Sequence, residues 1–169
     1  ICIERITMNL IDIKSPADLK GLSISELTDL TAQARQALMT KVSEHGGHFG
    51  PPMGAAEMIM ALHYVFNSPV DKIVYDVSHQ SYVHKMVTGR ALAFLDHDHY
   101  DDVTGYTDPT ESEHDFFNIG HTSTSISLAS GLATARNLKG DSENIIAIIG
   151  DGSLSGGEAF EGLDYAATL

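Results

Sequence analysis

The segment from Asn144 to Phe160, NIIAIIGDGSLSGGEAF, constrains the fold more than any other part of the 169-residue chain. Residues 145–149 form an unbroken run of isoleucine and alanine. An apolar run this short, bounded by polar residues and glycine, predicts a strand buried on both faces, as in a parallel sheet. The chain then passes through Gly150-Asp151-Gly152 and the pair Gly156-Gly157 into a helical pattern over 158–169. The segment therefore predicts a strand, a glycine-rich turn that carries one acid, and a helix.

The turn after this strand has the composition of a phosphate-binding loop. Glycines let the backbone approach a phosphate closely, and the N–H groups at a helix start favour an anion. Asp151 would repel a phosphate unless a cation lay between them, and Mg²⁺ is commonly bound by one or two carboxylates together with phosphate oxygens. From Gly-Asp-Gly alone two interpretations stay open: a Mg²⁺–phosphate site with Asp151 as ligand, and a structural turn in which Asp151 caps the next helix.

Strand patterns alternate with helical patterns along the rest of the chain. This alternation predicts an α/β domain with a mainly parallel sheet flanked by helices. Helix starts are indicated by Ser15-Pro16 and by a capping box of Ser23 with Glu26. The remaining predicted elements are, in chain order, a helix that ends near 45–47, an irregular loop over 48–52, a buried helix over 53–66, a buried strand over 73–77, a short helix over 81–88, an irregular stretch over 91–115 and a helix over 123–138 that ends at Gly140.

Charge and composition exclude several classes of function. The net charge of −13 argues against nucleic acid and anionic membranes as partners. No apolar run approaches the length of a membrane span and no signal-peptide pattern opens the chain, so a cytoplasmic location is expected. Cys2 is the only cysteine, which excludes disulfide frameworks and cysteine metal clusters. Because the chain starts at Ile1, with Met8 as a candidate natural start, and stops at Leu169 within a helical pattern, we expect a fragment of a longer protein.

Three of the nine histidines lie where predicted elements meet loops: His48, His79 and His121. Histidine is suited to phosphate hydrogen bonding and to proton transfer near neutral pH. His79 and Asp151 both follow predicted strands, so both can face the crevice at the carboxyl edge of a parallel sheet. For each of the three, a packed or solvated structural role stays the alternative. The other histidines are interpreted as solvated surface (His97 and His99 in the acidic segment 96–102) or as structural (His45, His63, His84 and His114).

Four longer blocks carry a resemblance to a known family. They read GGHFGPPMGAAEMIMALHYVF, DKIVYDVSHQSYVHKMVTGR, ESEHDFFNIGHTSTSISLASGLATAR and IIAIIGDGSLSGGEAFEGL. In order and spacing they resemble the diphosphate-binding domain of the transketolase-like thiamine diphosphate enzymes, and within that group the 1-deoxy-D-xylulose-5-phosphate synthase family. The resemblance runs from about His45 to the end. It implies that 1–169 is the N-terminal part of that domain, with the pyrimidine-binding and C-terminal domains absent.

The resemblance implies roles for particular residues. Asp151 matches a protein ligand of the Mg²⁺ that bridges the cofactor diphosphate. His79 matches a histidine near the diphosphate and thiazolium, and His48 matches one near the reacting centre. The implied cofactor contacts are completed by the turn Gly120, His121 and Thr122 and by Gly152 and Ser153.

The implied reaction uses thiamine diphosphate and Mg²⁺ to decarboxylate pyruvate and join its two-carbon unit to glyceraldehyde 3-phosphate. Its product, 1-deoxy-D-xylulose 5-phosphate, serves isoprenoid, thiamine and pyridoxal biosynthesis. Since a second Mg²⁺ ligand and two domains are missing, the chain alone is expected to be inactive, and it needs the missing domains or a partner chain within a homo-oligomer, expected to be a homodimer.

The sequence departs from the family at Ser78, where glycine is usual, at Thr122, where serine is usual, and over the acidic stretch 91–110, where basic residues are usual. The departures leave two alternatives open. One is a transketolase-type subunit or a synthase-like paralogue with another acceptor. The other is a non-catalytic binding or assembly remnant.

Overall fold

The computed structural model describes residues 8–169, which form two compact units. The first unit contains residues 8–65 and Val83–Val103, and the second contains Phe66–Tyr82 and Thr104–Leu169. The fold is mixed α/β, with a parallel sheet flanked by helices, as the sequence predicts. Cys2 and Ile1 lie outside the described residues. No helix within 8–169 is long and apolar enough to cross a membrane.

The first unit is built around a pair of packed helices. Helix α1 (Ile24–His45) begins at the predicted capping box, in which Ser23 Oγ accepts from the Glu26 N–H and the Glu26 carboxylate accepts from the Ser23 N–H. It ends at Gly46, whose φ of +87° favours glycine. Helix α2 (Gly50–Val65) packs against α1. The fully buried residues that hold this unit together include Leu10, Ile13, Leu19, Leu30, Leu38, Ile59, Met60, Met86 and Phe94.

Two predictions for the region of α2 are wrong. The predicted loop over 48–52 is irregular only up to Phe49, because Pro51 and Pro52 lie inside the first turn of α2. The N–H groups of a first turn have no acceptor within the helix, so proline loses nothing there. The helix is also buried on one face rather than all round, since Met58 and Val65 are 44% and 63% exposed.

Short helical segments complete the first unit and its connections. The predicted short helix is interrupted at Gly89, whose φ of +91° is not helical. The position requires glycine, because a Cβ there would lie 2.6 Å from the Lys14 carbonyl oxygen. The irregular stretch predicted over 91–115 contains two short helical segments. In chain order, all the short segments of the first unit and its connections are Leu10–Asp12, Pro16–Leu19, α3 (Tyr82–Lys85), a kinked turn over Met86–Arg90, α4 (Leu92–Leu95) and a 3-10 turn over His97–Asp102.

The second unit contains the sheet. Strands β1 (Lys72–Tyr75) and β2 (Ile145–Ile148) pair in parallel, with Lys72 opposite Ile145 and Tyr75 opposite Ile148. Helix α5 (Ser125–Lys139) packs on both strands and on α7 (Gly157–Ala166), and the short helix α6 (Asp151–Leu154) lies between β2 and α7 in the chain. The core cluster of this unit is Val74, Ile119 and Ala129, with Phe117, Leu128, Leu132, Ile145 and Ala147 packed against it.

The prediction that β2 is buried on both faces is wrong. Ile145, Ile146 and Ala147 are only half-buried, and Ile148 alone is buried. The number of paired strands is not the cause, since β1, whose only partner strand within residues 8–169 is β2, is buried over Ile73, Val74 and Tyr75. The faces of β2 are therefore less completely covered than those of β1. The glycine-rich turn after β2 also differs from the prediction, because it contains α6.

Candidate functional site

The carboxyl ends of β1 and β2 form the edge at which predicted site residues of the second unit leave the sheet. Because the two strands are parallel neighbours, the residues that follow them leave the sheet at the same edge, where open α/β sheets bind ligands. The Asp76 N–H donates to the Ile148 carbonyl at 2.7 Å and continues the pairing one residue beyond β1. His79 follows the first strand and Asp151 follows the second, as the sequence predicts.

The carboxylate of Asp76 is the centre of this edge. Its side chain is 1% exposed. One carboxylate oxygen accepts from the Ser123 N–H and the other from the Ser125 N–H, both at 2.9 Å. The Ser153 side chain also acts on this carboxylate and lowers its pKa. Asp76 therefore joins three segments: the end of β1, the start of α5 and the start of α6.

Hydrogen bonds keep this buried carboxylate charged. Burial alone raises the pKa of Asp76, but the donors of Ser125, Ser153 and Ser123 together outweigh burial and hold its pKa below the ordinary value. Asp76 is not among the site residues predicted from the sequence, in which it lies inside the predicted strand 73–77. An acid in a buried apolar strand indicates that a charge needs fixed donors, but not which residues supply them.

Ser123 makes a second link between the segments. It adopts a φ of +72°, and its hydroxyl donates to the Ser153 carbonyl oxygen at 2.6 Å. Gly156 packs against the same serine, so closely that a Cβ at position 156 would lie 2.8 Å from the Ser123 Cβ. The start of α5 and the chain from α6 to α7 are thus fixed to each other by contacts that leave no room for another side chain.

The turn Gly120, His121 and Thr122 is exposed, whereas Ile119 before it and Ser123 after it are buried. The N–H groups at the start of α5 are not all available to a ligand, because Asp76 accepts from those of Ser123 and Ser125. A ligand at this edge therefore meets the exposed turn itself.

Asp151 lies in the first turn of α6 and is exposed. Its carboxylate makes no hydrogen bond or ion pair with any other residue in the part of the chain that the structure describes. Gly152 is also exposed, and a Cβ there would meet no atom within 4 Å, whereas Ser153 is buried. Within 8–169, no group of three or more His, Cys, Asp or Glu side chains is placed to hold a metal ion. A cation at Asp151 would therefore need ligands from outside these residues.

The two remaining predicted site residues belong to different units. His79 is half-buried in the second unit, inside a turn closed by the Ser81 N–H and the Ser78 carbonyl at 3.1 Å. His48 is half-buried in the first unit, in the short segment 46–49 between α1 and α2. The second unit thus contains every predicted site residue except His48.

Other histidines are structural, as the sequence suggests. His63 Nε2 and His84 Nδ1 lie 2.8 Å apart, and both side chains are fully buried in the first unit. His114 Nδ1 lies 2.8 Å from Ser68 Oγ within the second unit, and both residues are buried. In the acidic segment 96–102, His99 pairs with Asp102 near the surface, an interaction that raises the pKa of His99.

Comparisons with known proteins decide the family. The family model described as 1-deoxy-D-xylulose-5-phosphate synthase matches residues 10–169. The chain belongs to the 1-deoxy-D-xylulose-5-phosphate synthase family. The synthase of Caldanaerobacter subterraneus subsp. tengcongensis is 54% identical over 152 residues, which are 90% of this chain and 24% of that protein.

Other synthases of the family show the same extent of similarity. That of Symbiobacterium thermophilum is 50% identical over 159 residues, which cover 94% of this chain and 24% of the relative. That of Shouchella clausii is 51% identical over 158 residues, which cover 94% of this chain and 25% of the relative. The chain thus spans about a quarter of the length of the curated relatives that it matches. The family resemblance drawn from the sequence is confirmed.

Proposed function

We propose that this chain is the N-terminal part of the diphosphate-binding domain of a thiamine diphosphate-dependent transferase. The transferase joins a two-carbon unit from pyruvate to glyceraldehyde 3-phosphate and forms 1-deoxy-D-xylulose 5-phosphate. The observation that carries the proposal is the Asp76 network, which ties the segment after β1, the exposed turn at Gly120–Thr122 and the Asp151 turn to one edge of the sheet. Membership of the synthase family supports the same reaction.

The residues around Asp151 suit a Mg²⁺ ion that bridges a diphosphate. Mg²⁺ prefers hard oxygen ligands and is commonly held by one or two carboxylates, with phosphate oxygens and water as the other ligands. Asp151 offers an exposed carboxylate, and Gly152 leaves open space beside it. In this proposal Asp151 is the protein ligand of the metal, and Gly152 and Ser153 lie against the diphosphate.

The turn Gly120, His121 and Thr122 forms the second contact with the cofactor in this proposal. All three residues are exposed, and Gly120 carries no side chain to obstruct a ligand, since a Cβ there would meet no atom within 4 Å. His121 and Thr122 would supply polar side chains for hydrogen bonds to phosphate oxygens. His79, which follows β1, would supply a further contact with the cofactor.

The reacting groups come from the cofactor and the substrates. When bound, thiamine diphosphate supplies the carbanion stabilisation that decarboxylation of pyruvate requires. The protein contributes orientation and proton transfer, and we assign a proton-transfer and substrate-binding role to His48, because imidazole titrates near neutral pH. The remainder of the catalytic machinery, including the pyrimidine-binding and C-terminal domains, is supplied by further domains or a partner chain in a homo-oligomer, which we propose to be a homodimer.

Turnover tests this proposal directly. The complete coding sequence that contains these 169 residues is expressed, and 1-deoxy-D-xylulose 5-phosphate is measured after incubation with pyruvate, glyceraldehyde 3-phosphate, thiamine diphosphate and Mg²⁺. We expect product from the longer protein, no product from the 169-residue chain, and loss of product in the Asp151→Asn variant of the longer protein. Release of CO₂ from pyruvate with no product from glyceraldehyde 3-phosphate would show that the acceptor is a different one. An inactive longer protein that is folded would refute the proposed reaction.

A further inference from the structure

Two consecutive residues after Asp76 have left-handed backbone conformations. Val77 has a φ of +59° and Ser78 a φ of +69°. Residues other than glycine rarely adopt such values, and a β-branched or bulky residue does so at a cost that the surrounding structure must offset. The residues on either side of Val77, which are Asp76 and Ser78, are both buried. The bend therefore turns two polar side chains into the interior of the second unit.

The Ser78 hydroxyl connects two loops. It donates to the Ile119 carbonyl oxygen at 2.7 Å and accepts from the Thr107 N–H at 3.0 Å. A hydroxyl has one hydrogen to donate and two lone pairs to accept with, so these two bonds use its only hydrogen and one of its lone pairs. Thr107 and Ile119 are themselves buried, at 5% and 7% exposure, so removal of the hydroxyl would take a partner from a buried N–H and from a buried carbonyl oxygen.

The bend holds the exposed turn at both ends. Ser78 bonds Ile119, the residue directly before Gly120, and Asp76 bonds the N–H groups of Ser123 and Ser125 directly after Thr122. Between these two attachments lie only three residues, Gly120, His121 and Thr122. Because both attachments come from residues two positions apart in the chain, the position of the turn depends on the conformation of a single bend.

The two residues that the Ser78 hydroxyl contacts, Thr107 and Ile119, line the same cavity. This cavity of about 350 Å³ has walls from two segments, the first formed by Thr104, Tyr106, Thr107 and Asp108 and the second by Asn118, Ile119 and Gly120. Thr107 belongs to the first wall and Ile119 to the second. Thr107 Oγ1 additionally donates to the Phe117 carbonyl oxygen at 2.8 Å, which strengthens the connection between the same two loops.

We infer that Ser78 is a positioning residue whose hydroxyl fixes the turn Gly120–Thr122 and the two walls of the adjoining cavity. The part of this inference that concerns cofactor binding rests on the proposed function. The part that concerns the position of the turn does not, because it follows from the two hydrogen bonds.

Two variants separate the hydroxyl from the backbone bend. Ser78→Ala keeps the Cβ and its left-handed backbone but removes the hydroxyl. Ser78→Gly removes the hydroxyl and also relieves the left-handed backbone, since glycine adopts positive φ readily. An effect of the missing hydroxyl appears in both variants, whereas an effect of backbone relief appears in Ser78→Gly alone.

Amide hydrogen exchange measured by NMR on the ¹⁵N-labelled chain tests the positioning. In both variants we expect the Thr107 amide to exchange at least about tenfold faster, which corresponds to loss of one buried hydrogen bond. We also expect the resonances of Gly120, His121 and Thr122 to shift. The amides of Ser123 and Ser125, which Asp76 holds, should keep their protection. Unchanged exchange at Thr107 in both variants would overturn the inference, and so would uniform loss of protection at all amides in both, which indicates a general effect on stability.

Calorimetric titration with thiamine diphosphate and Mg²⁺ tests the consequence for binding. If the turn contacts the cofactor, both variants should bind several-fold more weakly than the unsubstituted chain at a temperature where all three are folded. If the natural chain binds no thiamine diphosphate, the proposed function loses its support while the exchange result still decides the role of Ser78. If the exchange changes as expected but the affinity does not, the turn is positioned by Ser78 and the binding part of the inference is wrong.

Discussion

At the scale of single residues, the second unit depends on one buried carboxylate. Asp76 accepts hydrogen bonds from the N–H groups of Ser123 and Ser125, one on each carboxylate oxygen. An Asn side chain in its place would have nearly the same shape, but it is neutral and its single oxygen could not accept both bonds in this geometry. We expect Asp76→Asn to lower the free energy of unfolding by about 2 kcal/mol, because bonds to a buried charge are the stronger ones. Urea unfolding followed by circular dichroism measures the change.

The matched control for this substitution is Asp151→Asn. Asp151 is an exposed aspartate without a partner among the described residues, so its replacement should change stability by less than about 0.5 kcal/mol. Equal effects of the two substitutions would contradict the structural role given to Asp76.

The same carboxylate predicts a pH dependence. Folding lowers the pKa of Asp76, so as the pH falls the unfolded chain takes up this proton before the folded chain does. The stabilisation is therefore complete above the unfolded-state pKa of about 3.9 and is lost as the pH falls from there through the lower folded-state value. We expect the difference in unfolding free energy between the natural chain and Asp76→Asn to be constant from pH 7 to 5 and to shrink towards pH 3. A difference that persists undiminished at pH 3 would contradict the lowered pKa.

At the scale of secondary-structure elements, the junction of α6 and α7 is the most tightly packed part of the site. A Cβ at position 156 would collide with Ser123, whereas a Cβ at Gly157, the first residue of α7, would meet no atom within 4 Å. We expect Gly156→Ala to destabilise the chain by about 1–3 kcal/mol through overpacking. Gly157→Ala should be neutral or slightly stabilising, since alanine has the higher helix propensity. Thermal unfolding of the two variants and of the unsubstituted chain tests this. A Gly156→Ala variant with the same melting temperature as the unsubstituted chain would refute the close packing.

Elements with strong local signals could be predicted from the sequence. These elements depend on residues that are near one another in sequence. They are the capping box at Ser23, the ends of α1 and α5 at Gly46 and Gly140, and the strand at 145–148. The first turn of α2 could not, because Pro51-Pro52 indicates a loop and a helix start equally well. The half-burial of β2 could not either, since burial depends on which elements cover a strand.

The candidate site shows the same division. Gly-Asp-Gly and the exposed turn at Gly120–Thr122 could be located from the sequence as glycine-bearing segments near predicted strand and helix ends. Asp76 and Ser78 could not, because their importance comes from partners 29 to 49 positions away. Ser78 was visible only as a departure from the glycine usual in the family, and the two partners of its hydroxyl emerge only from the fold.

At the scale of the whole molecule, the second unit carries uncovered apolar surface. A cavity of about 310 Å³ lies beside β2, α5 and α7, and Leu138 and Phe160 are 85% and 56% exposed. Apolar surface of this kind favours association. We expect the 169-residue chain to self-associate or to bind a hydrophobic dye. Light scattering that shows a clean monomer, together with no dye fluorescence, would contradict this expectation.

We propose that this chain contributes part of a Mg²⁺–thiamine diphosphate site centred on Asp151. Calorimetric titration of thiamine diphosphate into the chain, with and without Mg²⁺, tests it most directly when Asp151→Asn is titrated alongside. Weak binding that requires Mg²⁺ and disappears in Asp151→Asn is the predicted result. Binding that is unchanged by removal of Mg²⁺ or by the substitution, or no binding at millimolar cofactor, would contradict the claim.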